Sequence, residues 1–194
     1  LPALYHDSTG SLRGGARGGD PPGVMELAGG TAEDTAGGAD GTTALAWAVY
    51  NDDQAMVEFL IRAGRDGADV NAANENGVNP LHLACINQNS ALVGTLLKAG
   101  ADPNRAKWTG ETPLMTCANT GTTAAVNLLL EHGADVNAAE NVRNQTALTW
   151  AAAEGHPDTI KVLVDRGANV HARSKTVLEP EPYLIKREST MGQN

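Results

Sequence analysis

The stretch LLKAGADPN (residues 96–104) returns almost unchanged as LLEHGADVN (129–137), 33 positions later. Each copy is an apolar run closed by glycine, the pattern of a helix that ends in a left-handed turn. The same glycine recurs as Gly64, Gly100, Gly133 and Gly167. A leucine that opens the preceding segment recurs as Leu45, Leu81, Leu114 and Leu148, at spacings of 36, 33 and 34 residues. A second signature follows each closing turn: GADVN at 67–71, GADPN at 100–104, GADVN at 133–137 and GANVH at 167–171. Two insertions explain the uneven spacing. Arg65, Asp66 and Gly67 lengthen the exit from the first unit, and one residue near Val142 and Arg143 lengthens the entry to the fourth. Both fall in turns, where extra length costs little closure entropy.

Within a unit, the Thr112 hydroxyl is placed to cap a helix whose first position is Pro113, where the missing N–H is no loss. That first helix ends near Gly121, or near Gly155 in the fourth unit. A second helix follows, with apolar residues at helical spacing: Val126, Leu129 and Leu130 in unit three, Ile160, Leu163 and Val164 in unit four. One such pair cannot bury its apolar face alone, so neighbouring pairs must stack and share a core. Aromatic residues make up only 4% of the chain, which suits a thin, layered core of Leu, Val and Ala.

Four segments carry a family resemblance: GTTALAWAVYNDDQAMVEFLIRAG (41–64), GVNPLHLACINQ (77–88), GETPLMTCANTG (110–121) and QTALTWAAAEGHPDTIKVLVDRGANV (145–170). With the period of about 33 residues and the T-P-L-H-x-A signature, the chain resembles an ankyrin-repeat protein. The segment DGTTALAWAVYNDD (40–53) is similar to ankyrin proteins of bacterial type. The resemblance implies an all-α solenoid with a helix-turn-helix and a β-hairpin finger in each repeat. The repeats would span 39–73, 74–106, 107–139 and 140–175. Residues 1–38 are Gly-rich, and composition alone reads them as a flexible tail. Yet the register continues into them, with Leu12 on Leu148, Gly19 on Gly155, Val24 on Ile160 and Leu27 on Leu163, as in a degenerate capping repeat. Residues 176–194 lack the opening of a fifth repeat and read as a tail or a truncated finger. Together with Leu1 in place of a starting Met, this reads as a fragment of a longer protein.

Members of this family bind other proteins through a concave face made by fingertips and first helices. Carried over column by column, the fingertip positions are Glu75, Asn76 and Val78, then Trp108, Thr109 and Glu111, then Val142, Arg143 and Gln145. The first-helix positions are Tyr50, Asn51, Ile86, Asn87, Asn119, Thr120, Ala153 and Glu154. These columns vary while the framework columns do not. Trp108 stands out, because its column otherwise holds Glu75 and Val142, so the framework does not demand a large aromatic. Beside Arg143 and Tyr50 it has the composition of a binding hot spot; the alternative is that it packs on a neighbouring finger. Trp47 and Trp150 share the column of Leu83 and are expected in the core.

Other chemistries find little support. His82 and Cys85 stand three apart on one helix, but His82 is the His of the family signature, whose implied role is a structural hydrogen bond between repeats. Cys85 and Cys117 occupy columns otherwise filled by Ala and are expected to be buried free thiols, because repeat layers are taken to stack too far apart for a bridge. His132, His156 and His171 have no partners at metal-ligand spacing, and the chain has no phosphate loop or nucleophile elbow. It therefore reads as a non-enzyme without cofactor or metal. The net charge of −9 opposes nucleic acid and favours a protein partner with a basic surface. No apolar run is long enough to span a membrane. The reading is a monomeric protein-binding module, or the accessory segment of a larger enzyme, transporter or secreted effector. The two cysteines are compatible with a reducing cytoplasm and with export, so the compartment stays open.

Repeats one and four replace the signature proline with Ala44 and Ala147, and repeats one, three and four carry Ala46, Met115 and Thr149 in place of its histidine. Repeat one also carries the three-residue insertion, and is expected to be the softest. Amide hydrogen exchange checks this: repeat-one amides should exchange faster than those of repeats two and three.

Overall fold

The computed structural model describes residues 41–63 and 68–175. The readings placed on residues 1–38, on the 65–67 insertion and on 176–194 lie outside the described residues. The described chain forms four antiparallel helix pairs: α1 (Ala44–Tyr50) with α2 (Gln54–Arg62), α3 (Pro80–Ile86) with α4 (Ser90–Lys98), α5 (Pro113–Thr120) with α6 (Thr123–Glu131), and α7 (Ala147–Glu154) with α8 (Pro157–Asp165). First helices stack on first helices, and α4, α6 and α8 form a second row. The result is an all-α solenoid.

Each first helix begins the same way. Thr43, Asn79, Thr112 and Thr146 stand in extended backbone and accept an amide N–H of the first turn, which satisfies a donor that the helix itself leaves unpaired. Pro80 and Pro113 occupy the first helical turn, as their sequence position predicts. Gly121 and Gly155 close α5 and α7 in left-handed conformation. In α1 and α3 the matching turns fall to Asp52 and Gln88, which adopt positive φ at the steric cost of a β-carbon. The core is a ribbon of Leu45, Leu81, Leu114, Leu92, Leu96, Leu129 and Leu163, with Ala84, Ala118 and Ala151 between the first helices.

Adjacent layers are joined by a polar ladder along the turns after the second helices. The Asn71 amide donates to the Gly100 carbonyl (3.1 Å) while its oxygen accepts the Asp102 N–H (2.7 Å). Asn104 does the same with Gly133 (2.9 Å) and Asp135 (2.8 Å), and Asn137 with Gly167 (3.2 Å) and Asn169 (2.7 Å). The asparagine that ends the first three copies of the signature is thus the inter-repeat connector, and the Asp of each of these copies caps the turn that aims it.

The fingers are tighter than full hairpins. Asn74 N–H donates to the Val78 carbonyl and Lys107 N–H to that of Glu111, whereas Glu140 N–H reaches Gln145, one residue further along. That extra residue is the insertion expected near Val142 and Arg143. Among the described residues the strand-like pairing is a single antiparallel bridge between Ala139 and Thr146. The fingers stack almost backbone to backbone. A β-carbon on Gly77 (φ 75°) would come within 2.9 Å of the Lys107 Cα, and one on Gly110 (φ 83°) within 2.9 Å of Asn141.

Two expectations are corrected. Cys85 and Cys117 form a disulfide, their Cα atoms 4.7 Å apart, instead of two free thiols. With only Ala84 and Ala118 beside the two cysteines, α3 and α5 approach so closely that a diagonal pair comes within bridging range, whatever the average layer spacing. Trp47 and Trp150 are half-buried instead of enclosed in the core. Trp150 still packs against the core from its edge, and the rest of its ring borders a depression behind finger four. The disulfide closes a loop with a sequence separation of 32 and removes about 3–4 kcal/mol of chain entropy from the unfolded state. In urea titrations, a chain reduced while unfolded and then refolded should be less stable than the oxidised chain by about that amount. Equal midpoints would show that the bridge does not form in solution.

Candidate partner-binding surface

The finger before each first helix is organised by one polar side chain. In finger two the Asn74 oxygen accepts from Asn76 N–H (3.1 Å) and Val78 N–H (3.0 Å). In finger four the Glu140 carboxylate accepts from Val142 (2.6 Å), Arg143 (2.7 Å) and Gln145 (3.0 Å). Burial pushes the Glu140 carboxyl up, but these three N–H bonds and the Arg143 charge outweigh it and hold it below its usual range. Finger three is braced differently. Glu111 takes Lys107 Nζ at 2.9 Å and the Thr116 hydroxyl at 2.8 Å. Sequence reading missed Asn74, Glu140 and Lys107 as organisers; the signal was their shared place just before each fingertip.

Packing of finger on finger holds the tips in line. Asn141 N–H donates to the Thr109 carbonyl at 2.8 Å, and His82 Nε2 donates to the Glu111 carbonyl at 3.1 Å, from repeat two to repeat three. The donation to a carbonyl fixes the Nε2–H tautomer, and Nδ1 is buried without a partner. This is the inter-repeat bond implied for His82.

The expected surface positions now separate into two groups. Trp108 is 72% exposed, so it does not pack down on a neighbouring finger; Val142 (56%), Ile86 (42%), Tyr50 (36%), Glu75, Arg143 and Glu154 are exposed as well. Asn51 and Ala153 are exposed too, and most of the others are at least partly committed within the protein. The Asn87 amide donates to the Val49 and Tyr50 carbonyls, the Asn119 carbonyl receives His156 Nε2, and Glu111 is bound as described. Asn76, Val78 and Thr109 are half-buried, and each is engaged through its backbone or hydroxyl in its own finger. Thr109 and Arg143 come together around one open depression, lined also by Glu111, Glu140, Val142, Gln145 and the Trp150 ring. Tyr50 lies two repeats away from this group, its ring set edge-on to Trp47 at 5.8 Å.

A finger and the first helix behind it therefore share one recess, flanked by exposed apolar side chains. The family model for ankyrin repeats, in three copies, matches residues 15–107 and 105–174. The chain belongs to the ankyrin-repeat family. A search of curated proteins finds no match. Repeats of this family are generally non-catalytic protein–protein interaction modules. No helix among the described residues is long and apolar enough to cross a membrane.

The buried His82 makes stability pH-dependent. Desolvation first, and then the Lys107 charge, lowers its imidazole from 6.5 to about 4. The folded state disfavours the protonated form, so its contribution is complete above the unfolded value of 6.5 and is lost as pH falls towards 4. Between about pH 7.5 and pH 5 the protein should lose roughly 2 kcal/mol. His82→Gln keeps a donor for the Glu111 carbonyl but does not titrate, and should flatten that slope. Denaturant titrations at the two pH values measure both.

Proposed function

We propose that this chain binds a partner protein through the surface formed by fingers three and four and the first helices behind them. The observation that carries this is the contrast at the recess. The carboxylates around it are bonded within their fingers, while the exposed Val142 and Arg143 side chains line it and exposed Trp108 directly precedes Thr109 of its lining. Tryptophan and arginine concentrate binding energy at interfaces, and the half-buried Trp150 indole on the first-helix side adds apolar area. Tyr50, Ile86, Glu75 and Glu154 extend the same surface over the remaining repeats.

Capture of partners from a lysate of the source, with the wild-type chain and a Trp108→Ala, Arg143→Ala double variant side by side, tests this reading. A protein held by the wild type should be lost, or bound at least about 100-fold more weakly, by the variant. A partner retained equally by both would move the binding site to another face.

A further inference from the structure

Net charge alone calls for a basic partner, but the charged group left without an ion pair at the recess is a cation. Both carboxylates that line it are consumed internally: Glu140 by three backbone N–H groups, Glu111 by Lys107 and Thr116. Arg143, at the same rim, is in no ion pair among the described residues and feels only the occupied Glu140 nearby.

Arg143 is also not alone. The segment after α8 returns alongside its finger, where Lys175 N–H donates to the Arg143 carbonyl at 2.6 Å and the Asn144 amide donates to the Arg173 carbonyl at 3.3 Å. Arg143, Arg173 and Lys175 are therefore carried on two hydrogen-bonded backbone segments, and all three are exposed. Arg173 and Lys175 likewise have no ion pair among the described residues. Exposed Val142 precedes Arg143, and exposed Trp108 precedes Thr109, whose carbonyl takes the Asn141 N–H of finger four. The Trp150 indole forms part of the recess wall. The exposed carboxylate of Glu154 is one turn beyond Trp150, at the end of α7 away from the finger.

We infer that an acidic peptide segment of the partner lies across finger four, between the recess that Arg143 lines and the second depression that Arg173 lines with Asn144 and Thr146, its carboxylates on Arg143, Arg173 and Lys175 and an apolar side chain against Val142 and Trp108. This deepens the proposed function and rests on it. Guanidinium groups bind carboxylates with charge-assisted, often bidentate hydrogen bonds, so two or three carboxylates suffice to fill the cluster. A nucleic acid is disfavoured, because three cations on a chain of net charge −9 do not offset repulsion of a long phosphate backbone.

The test is NMR titration of the full chain, reading the Arg143 side-chain N–H and the Trp108 and Trp150 indole N–H signals. The probes are a short blocked peptide of alternating Glu and Leu, the same peptide with Lys in place of Glu, and a short oligothymidylate. The Glu–Leu peptide should shift these signals saturably. Arg143→Glu and, separately, Arg173→Glu should each weaken it about tenfold or more. Both side chains are exposed, so the amide spectrum should show each variant folded. Shifts by the Lys–Leu peptide alone would overturn the acidic preference and leave the binding surface in place. Shifts by the oligonucleotide but not by the Glu–Leu peptide would overturn it in favour of nucleic acid. Silence with all three probes, or full binding by both variants, would also overturn it, and lysate capture then decides separately whether the surface binds a protein at all.

Discussion

Every layer of this solenoid is tied to the next by an asparagine whose amide spans the gap. Asn71, Asn104 and Asn137 each give an N–H to the carbonyl of the next closing glycine and take the N–H of the residue two positions on. The geometry works only if the glycine turns left-handed and the Asp ahead of the Asn holds the loop. The whole pentapeptide therefore repeats, and not the asparagine alone. A helix pair seven and nine residues long is too short to stand by itself, so these links and the shared Leu ribbon make one structure of four units. Each layer contacts only its neighbours, and the surface they carry can vary without disturbing the stack.

That separation of labour is visible at the finger side. His82, Asn87, Thr120 and His156 spend their polar atoms on carbonyls of an adjoining repeat, and Glu111 and Glu140 spend theirs within their own fingers. Trp108, Val142 and Arg143 remain at the rim. A surface built this way presents few charges, each already decided by what the framework leaves unpaired. The acidic composition of the chain therefore says little about the sign of the charge that meets a partner.

The helices were legible because their causes are local. Thr112 before Pro113 fixes a start, Gly121 fixes a stop, and the Leu spacing fixes the buried face. The exposed Trp108 was legible for a related reason: a column that tolerates Glu, Trp and Val is under no packing demand. Asn87 was read as a surface group and turned out half-buried and bonded, because whether a polar side chain meets water or a carbonyl depends on the neighbouring repeat, here 38 residues away; Glu111 was read the same way and is bonded within its own finger. The indoles of Trp47 and Trp150 were misjudged on the same ground: a column shared with Leu83 reports an inward direction but not how much covers it.

Sequence by itself determined the repeat, the helix limits, the core leucines and the variable columns, all of which follow from backbone preferences and periodicity within one unit. Tertiary structure alone decided what passes between units. It set the distance that brings Cys85 and Cys117 together and the bonding of Asn87 and Thr120 to carbonyls of the preceding repeat. It also decided the meeting of Arg143 with Arg173 and Lys175. These depend on how closely two layers approach at one point, and a periodic pattern gives the average approach and not the local one.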